Sequence, residues 1–196
     1  PWREFGLVGF TTTFQQAVPS IALARRIKAL HPSVVTVLGG AACEPDMGLE
    51  LLRTSPCIDY AVVGEGDEAF PELLDALSSG RDPAGVPGVA ARRAGEISRP
   101  APRAPARLDD LPVPSYEDWF RRAAVLDLLP AGGRREVAVP FEAARGCWWG
   151  RCLFCGVAGE WRAFRAKSPG RVLAELEQLA SEEGTFKLES VDPVLG

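Results

Sequence analysis

Residues 145–156 read Arg-Gly-Cys-Trp-Trp-Gly-Arg-Cys-Leu-Phe-Cys-Gly, which gathers Cys147, Cys152 and Cys155 into one short stretch. Thiolates are the soft ligands that zinc and iron–sulfur centres select. The spacing is C-x4-C-x2-C, with no histidine beside it and no fourth cysteine after it. A closed structural zinc site takes four protein ligands. An iron–sulfur cluster held by three cysteines instead leaves one iron open to a substrate or cofactor. The stretch therefore reads as a cluster loop with an open coordination position; a zinc knuckle with its fourth ligand elsewhere is the alternative. Gly146, Gly150 and Gly156 let the backbone turn tightly around an inorganic core. Trp148, Trp149 and Phe154 are placed to shield it from water. Cys43 and Cys57 stand alone among small or apolar residues and read as buried small hydrophobes.

A scaffold must hold that loop. The 196 residues suffice for one large or two small domains, and 46% hydrophobic with 24% charged residues is ordinary globular composition. A formal charge of -4 argues against a nucleic-acid or anionic-membrane partner. No apolar run approaches the roughly 18 residues that a spanning helix needs. Five cysteines, an odd number, with no signal-peptide pattern point to a reducing cytoplasm and a metal, not to disulfides. Strand-like residues lie close to both ends, so the expectation is a fragment whose folded elements continue beyond it, inactive by itself.

The first eighty residues alternate strand and helix. Apolar or β-branched strands are expected at 6–10, 34–38 and 58–63. Helices are expected at 19–30, with Ile21, Ala24, Ile27 and Leu30 at helical spacing, at 46–53, and at 68–78 around Phe70, Leu73, Leu74 and Leu77. Continuous apolar strands separated by helices mean a parallel sheet covered on both faces. Each strand ends in a Thr- or Gly-rich loop, on the edge where such sheets bind ligands. Residues 81–136 read as a hairpin (86–92 with 96–98) followed by a Pro-rich strap, which Trp119 and Phe120 anchor. A second domain, 137–196, opens with a strand at 137–142 and carries the cysteine loop. Ser168-Pro169 then starts a helix through Val172, Leu173, Leu176 and Leu179, stopped by Gly184 before a strand at 186–191. This βαβ unit puts the cysteines at the top of its first strand, where barrel enzymes keep their chemistry.

The loop resembles the cluster loop of the radical S-adenosylmethionine (SAM) enzymes, whose usual spacing is C-x3-C-x2-C. More specifically, the segments Gly9-Phe10-Thr11-Thr12-Thr13-Phe14-Gln15-Gln16, Leu38-Gly39-Gly40-Ala41, Val63-Gly64-Glu65-Gly66-Asp67, Gly146-Cys147-Trp148-Trp149-Gly150 and Phe164-Arg165-Ala166-Lys167-Ser168-Pro169 are similar, in order, to a cobalamin-binding radical SAM family that matures ribosomally made peptides. The resemblance implies an α/β fold: a partial doubly wound, flavodoxin-like cobalamin domain over 1–80, a strap over 81–136 and the start of a (β/α) barrel over 137–196. It implies that Cys147, Cys152 and Cys155 hold a [4Fe–4S] cluster and that SAM takes the fourth iron. Phe154, Gly156, Glu189 and Asp192 would contact SAM. Thr11, Thr12, Thr13, Gly39, Gly40, Gly64, Glu65 and Gly66 would contact cobalamin. The implied activity is radical C-methylation of a peptide at an unactivated carbon, with an electron donor protein such as a flavodoxin or ferredoxin. Alternatives are a small-molecule, lipid or tetrapyrrole substrate, or a non-enzymatic cobalamin module with a zinc site. Arg162, Arg165 and Lys167 either face SAM and substrate carboxylates or form a solvated basic face. His31, the only histidine, reads as a plain turn residue at the opposite edge of the sheet.

Overall fold

A computed structural model describes residues 2–13, 15–155 and 163–193. The chain forms two compact units, Pro1–Ala106 and Arg107–Gly196.

In the first unit, β1 (Leu7–Thr11), β2 (Val35–Gly39) and β3 (Tyr60–Val62) run parallel in that order. Helices α1 (Ala17–Leu30), α2 (Pro45–Thr54) and α3 (Gly66–Ser78) follow the strands in turn. Successive strand residues point to opposite faces, and two cores result. Leu38, Ala61 and Ala90 meet Ala24 of α1 and Leu52 of α2 on one face. Val37, Val62 and Val89 meet Ala69, Leu73 and Ala76 of α3 on the other. Helices on both faces make the sheet doubly wound, as the apolar strands predicted. Leu30 and Leu74, expected on the buried stripes, are exposed at the stripe margins.

The hairpin is not part of a connector. Its strands β4 (Val89–Arg93) and β5 (Glu96–Ser98) extend the sheet antiparallel, with Tyr60 opposite Ala91 and Val62 opposite Val89. The reason is backbone satisfaction: β3 would otherwise carry an unpaired row of N–H and C=O groups. Arg103 fastens the following segment to the same unit through Glu68, Glu72 and the Pro87 carbonyl. The unit boundary therefore falls at 106, against the sequence-based divisions at 80 and 136.

The second unit is built on a parallel pair, β6 (Val139–Phe141) and β9 (Leu188–Ser190), with α5 (Pro169–Glu183) between them in sequence. Helix α5 starts where Ser168 caps it, its hydroxyl accepting the Arg171 N–H at 3.3 Å. Gly184, at φ 68°, ends it in the left-handed conformation favoured after a helix. Phe120 of α4 (Glu117–Val125), Val139 and Leu179 form the core. Trp119, expected to anchor beside Phe120, is half exposed and meets the Phe120 ring edge to face at 5.0 Å.

Asp109 ties the preceding strap to α5 by accepting the Ser168 N–H at 2.7 Å. That backbone hydrogen bond, helped by Arg107 and Arg171, holds the Asp109 carboxyl below its usual range. A carboxylate whose folded pKa is depressed adds stability above its unfolded pKa and loses it as pH falls through the folded one. The Ser168 amide resonance should therefore titrate in acid, below about pH 4. It should stop doing so in Asp109→Asn. A pH-independent wild-type resonance would rule this tether out.

Candidate functional site

Two places concentrate the residues that the sequence singled out. The first is the edge where β1, β2 and β3 end. Thr12 donates both its N–H (2.7 Å) and its hydroxyl (2.8 Å) to the Gly39 carbonyl. The Thr12 carbonyl accepts the Ala42 N–H at 3.0 Å, Gly40 O accepts the Cys43 N–H at 2.7 Å, and Cys43 O accepts the Gly64 N–H at 2.9 Å. A continuous hydrogen-bond chain thus joins the loops after all three strands. Gly40, at φ 95°, is required there: a Cβ would lie 2.8 Å from both the nitrogen and the oxygen of Thr12.

The structure brings Thr11, Thr12, Thr13, Gly39, Gly40, Gly64, Glu65 and Gly66 to this one edge, and it separates their roles. Thr12 is fully buried with its hydroxyl engaged, so it shapes the edge and presents nothing to a ligand. Thr13 is exposed, its N–H and hydroxyl both donating to Gln16 Oε1. Thr11 and Gly40 are exposed, while Gly39, Gly64, Glu65 and Gly66 are half-buried. Glu65 is the N-cap residue of α3, so the N-terminus of that helix opens on the same edge. Such an edge suits close backbone approach by a bulky ligand or its phosphate. Cys43 is walled in beneath it; burial pushes its thiol up, against a weaker opposing bond from Thr12. His31 caps the far end of α1, away from these loops.

The second place is the cysteine loop. Strands β7 (Ala144–Arg145) and β8 (Arg165–Ala166) pair antiparallel, Ala144 with Ala166 and Arg145 with Arg165. They flank the stretch that carries the cysteines, just past the end of β6. Cys147, Cys152 and Cys155 are free thiols of intermediate exposure. Gly146 and Gly150 take positive φ, 85° and 56°. The Gly150 N–H points at Cys147 Sγ, 3.5 Å away. Among the described residues, no three His, Cys, Asp or Glu side chains are gathered as a site for one metal ion. The donor set nevertheless fits an iron–sulfur cluster: three unbridged thiols on one glycine-hinged loop, with an amide hydrogen aimed at one sulfur. Gly156 and Arg162 lie outside the described residues.

The aromatic shield expected from Trp148, Trp149 and Phe154 is not in place. All three are exposed, Phe154 at 93%. Trp148 and Trp149 meet edge to face, and Arg151 stacks on Trp149. Sequence reasoning missed Glu175, the buried partner of Lys167 at the loop's root. Lys167 is not on a solvated basic face, nor aimed at a ligand. Its ammonium is buried against Glu175 of α5 at 2.6 Å. Asp192 has both carboxylate oxygens engaged inside the chain. Glu189 is exposed on β9. The one available signal was Glu175, Leu179 and Glu183 at four-residue spacing, a line of α5 that carries two acids yet is buried.

Together these features define a doubly wound α/β unit with a ligand-type edge, followed by a βαβ unit that carries a three-cysteine loop. No family model matches the chain. It is 33% identical to an uncharacterized methyltransferase of Pyrococcus horikoshii over 95% of its own length and 39% of that protein. It is 29% identical to an anaerobic magnesium-protoporphyrin IX monomethyl ester cyclase of Rubrivivax gelatinosus, over 97% of this chain and 34% of the relative. It is 36% identical to the cobalamin-dependent radical SAM methyltransferase TokK of Streptomyces tokunonensis, over 68% of this chain and 19% of TokK. The chain thus spans well under half the length of these curated relatives. Its fold is shared with the radical SAM methyltransferase TsrM from Kitasatospora setae, solved with tryptophan substrate and a SAM analog (TM-score 0.69, 22% identity, 95% of this chain, 36% of that chain). It is also shared with the cobalamin-dependent SAM radical enzyme OxsB, solved with aqua-cobalamin and SAM (TM-score 0.73, 18% identity, 95% of this chain, 25% of that chain).

Proposed function

We propose that this chain is the cofactor-holding portion of a cobalamin-dependent radical SAM methyltransferase. The observation that carries the reading is the three-thiol loop, flanked by β7 and β8 at the end of β6. Cys147, Cys152 and Cys155 would hold a [4Fe–4S] cluster, and the open iron would take SAM. The loops at 11–13, 39–40 and 64–66 would receive cobalamin. When bound, these groups supply one-electron cleavage of SAM and a transferable methyl group, the chemistry needed at an unactivated carbon. The chain's own work is positional. The Thr12–Gly39–Cys43–Gly64 hydrogen bonds fix the spacing of the three cobalamin loops. The Gly150 N–H is aimed at the Cys147 sulfur. Phe154 and Gly156 would lie beside SAM. An electron donor protein such as a flavodoxin or ferredoxin would serve as partner.

A ribosomally made peptide is the acceptor we propose, on the order of the sequence segments that resemble that branch. A small-molecule or tetrapyrrole acceptor is the second reading; the protoporphyrin ester cyclase among the relatives favours it. Cobalamin retention tests the first unit's part directly. Hydroxocobalamin added to the chain should survive desalting with a shifted visible spectrum. Complete loss on desalting would remove cobalamin from the proposal and leave only the cysteine loop.

A further inference from the structure

We infer that Asp192 is a positioning residue for the cysteine loop, acting through the backbone of Ala143 and Ala144 and not by touching SAM. The inference rests on the proposed cluster and goes beyond it. Asp192 follows β9, the strand paired with β6. Its Oδ1 accepts two hydrogen bonds, from the N–H of Ala143 at 2.8 Å and of Ala144 at 2.9 Å. Its Oδ2 accepts the Ser190 hydroxyl at 2.9 Å, and Ser190 Oγ in turn accepts the Asp192 N–H at 3.3 Å. One oxygen therefore fixes two consecutive backbone amides, which makes this side chain a firm anchor.

What it anchors is the bend between β6 and β7, the point where the chain leaves the parallel pair and turns into the cysteine loop. Neighbouring backbone bonds tie the same bend. Val191 N–H donates to Phe141 O at 3.0 Å, before the bend. Lys167 N–H donates to Ala143 O at 2.8 Å, from the loop's far root. Ala144 then pairs with Ala166. Asp192 is the only side chain among the described residues for which hydrogen bonds to Ala143 and Ala144 are found. Only Arg145 and Gly146 separate Ala144 from Cys147, so a pivot at Ala144 is passed directly to the sulfur. A carboxylate already accepting two N–H groups and a hydroxyl has no need of SAM's ammonium for its satisfaction.

The test compares Asp192→Ala and Asp192→Asn in the 196-residue chain, reconstituted anaerobically with ferrous iron and sulfide. An asparagine keeps a carbonyl oxygen for Ala143 and Ala144, while it loses the charge and turns the oxygen that accepts the Ser190 hydroxyl into a donor. Removing partners behind metal ligands commonly costs 10- to 100-fold in affinity. Asp192→Ala should weaken iron retention against a chelator about 10-fold and alter the electron paramagnetic resonance line shape of the reduced cluster. Cobalamin retention by the first unit should stay unchanged. Asp192→Asn should restore both iron retention and line shape. Wild-type iron retention and spectrum in Asp192→Ala would overturn the assignment. So would an Asp192→Asn variant as impaired as Asp192→Ala, because an oxygen facing Ala143 and Ala144 would then not be what holds the loop. A wild-type chain that takes up no iron would instead overturn the cluster reading beneath it.

Discussion

Lys167→Met is expected to cost the second unit about 3–5 kcal/mol, because it strands Glu175 as an uncompensated charge in the interior. Both partners are almost fully inaccessible, Lys167 at 3% and Glu175 at 1% side-chain exposure, with 2.6 Å between ammonium and carboxylate. The next cation, Arg171 Nε, stands 3.9 Å from the same oxygen, and its Nη2 already donates to the Leu111 carbonyl. Glu175 Oε1 has no hydrogen-bond partner among the described residues, so the site cannot absorb a further loss. The same physics predicts recovery. Burying an ion pair costs desolvation that its attraction barely repays, and apolar replacements of similar volume are often neutral or stabilising. Lys167→Met with Glu175→Leu should therefore regain most of the stability that Lys167→Met loses. Urea unfolding followed by tryptophan fluorescence checks both. A single variant within about 1 kcal/mol of wild type would mean that the pair is solvated in solution.

Cys152→Ala is expected to abolish cluster assembly outright. Three thiolates are the minimum that fixes a four-iron cluster with one iron open, and no other cysteine lies near in sequence to replace a lost one. After anaerobic reconstitution, wild type should hold about four irons and show broad absorbance near about 400 nm. Cys152→Ala should fall to background in both. Cys57→Ala is the matched control: its thiol is buried in the first unit, donating to the Ile21 carbonyl at 3.7 Å. It should retain iron. Full iron in Cys152→Ala would show that the loop is not the ligand set.

Much of this was legible in the sequence because it follows from periodicity. Val35, Val37 and Leu38 could only be a covered strand, and Ser168-Pro169 with Gly184 bracketed α5 as written. The cysteine spacing marked its loop without any fold. The hairpin's membership of the first sheet was not legible, since strand pairing depends on which edge lies free, and no local pattern records that. The apolar residues of α5 misled in one respect. Leu173 was placed on the buried stripe but is exposed, while Glu175 and Glu183 are buried. A charged residue reads as surface unless its partner is known, and Lys167 and the Tyr116 N–H lie too far along the chain to be recognised as partners. Asp192 stands out in the sequence only by its place at a strand end, because its partners Ala143 and Ala144 offer backbone groups that carry no sequence signature. Thr12 likewise belongs to the loop framework, which the run of three threonines concealed.

The account stands on an iron held by three sulfurs with one coordination position kept for SAM. The measurement that addresses it most directly is electron paramagnetic resonance of the reconstituted, chemically reduced chain, recorded with and without SAM. Binding of SAM to the open iron should shift the g-values and line shape of the cluster signal. A fully loaded cluster whose spectrum ignores SAM, or a chain that arrives with zinc and refuses iron, would contradict it.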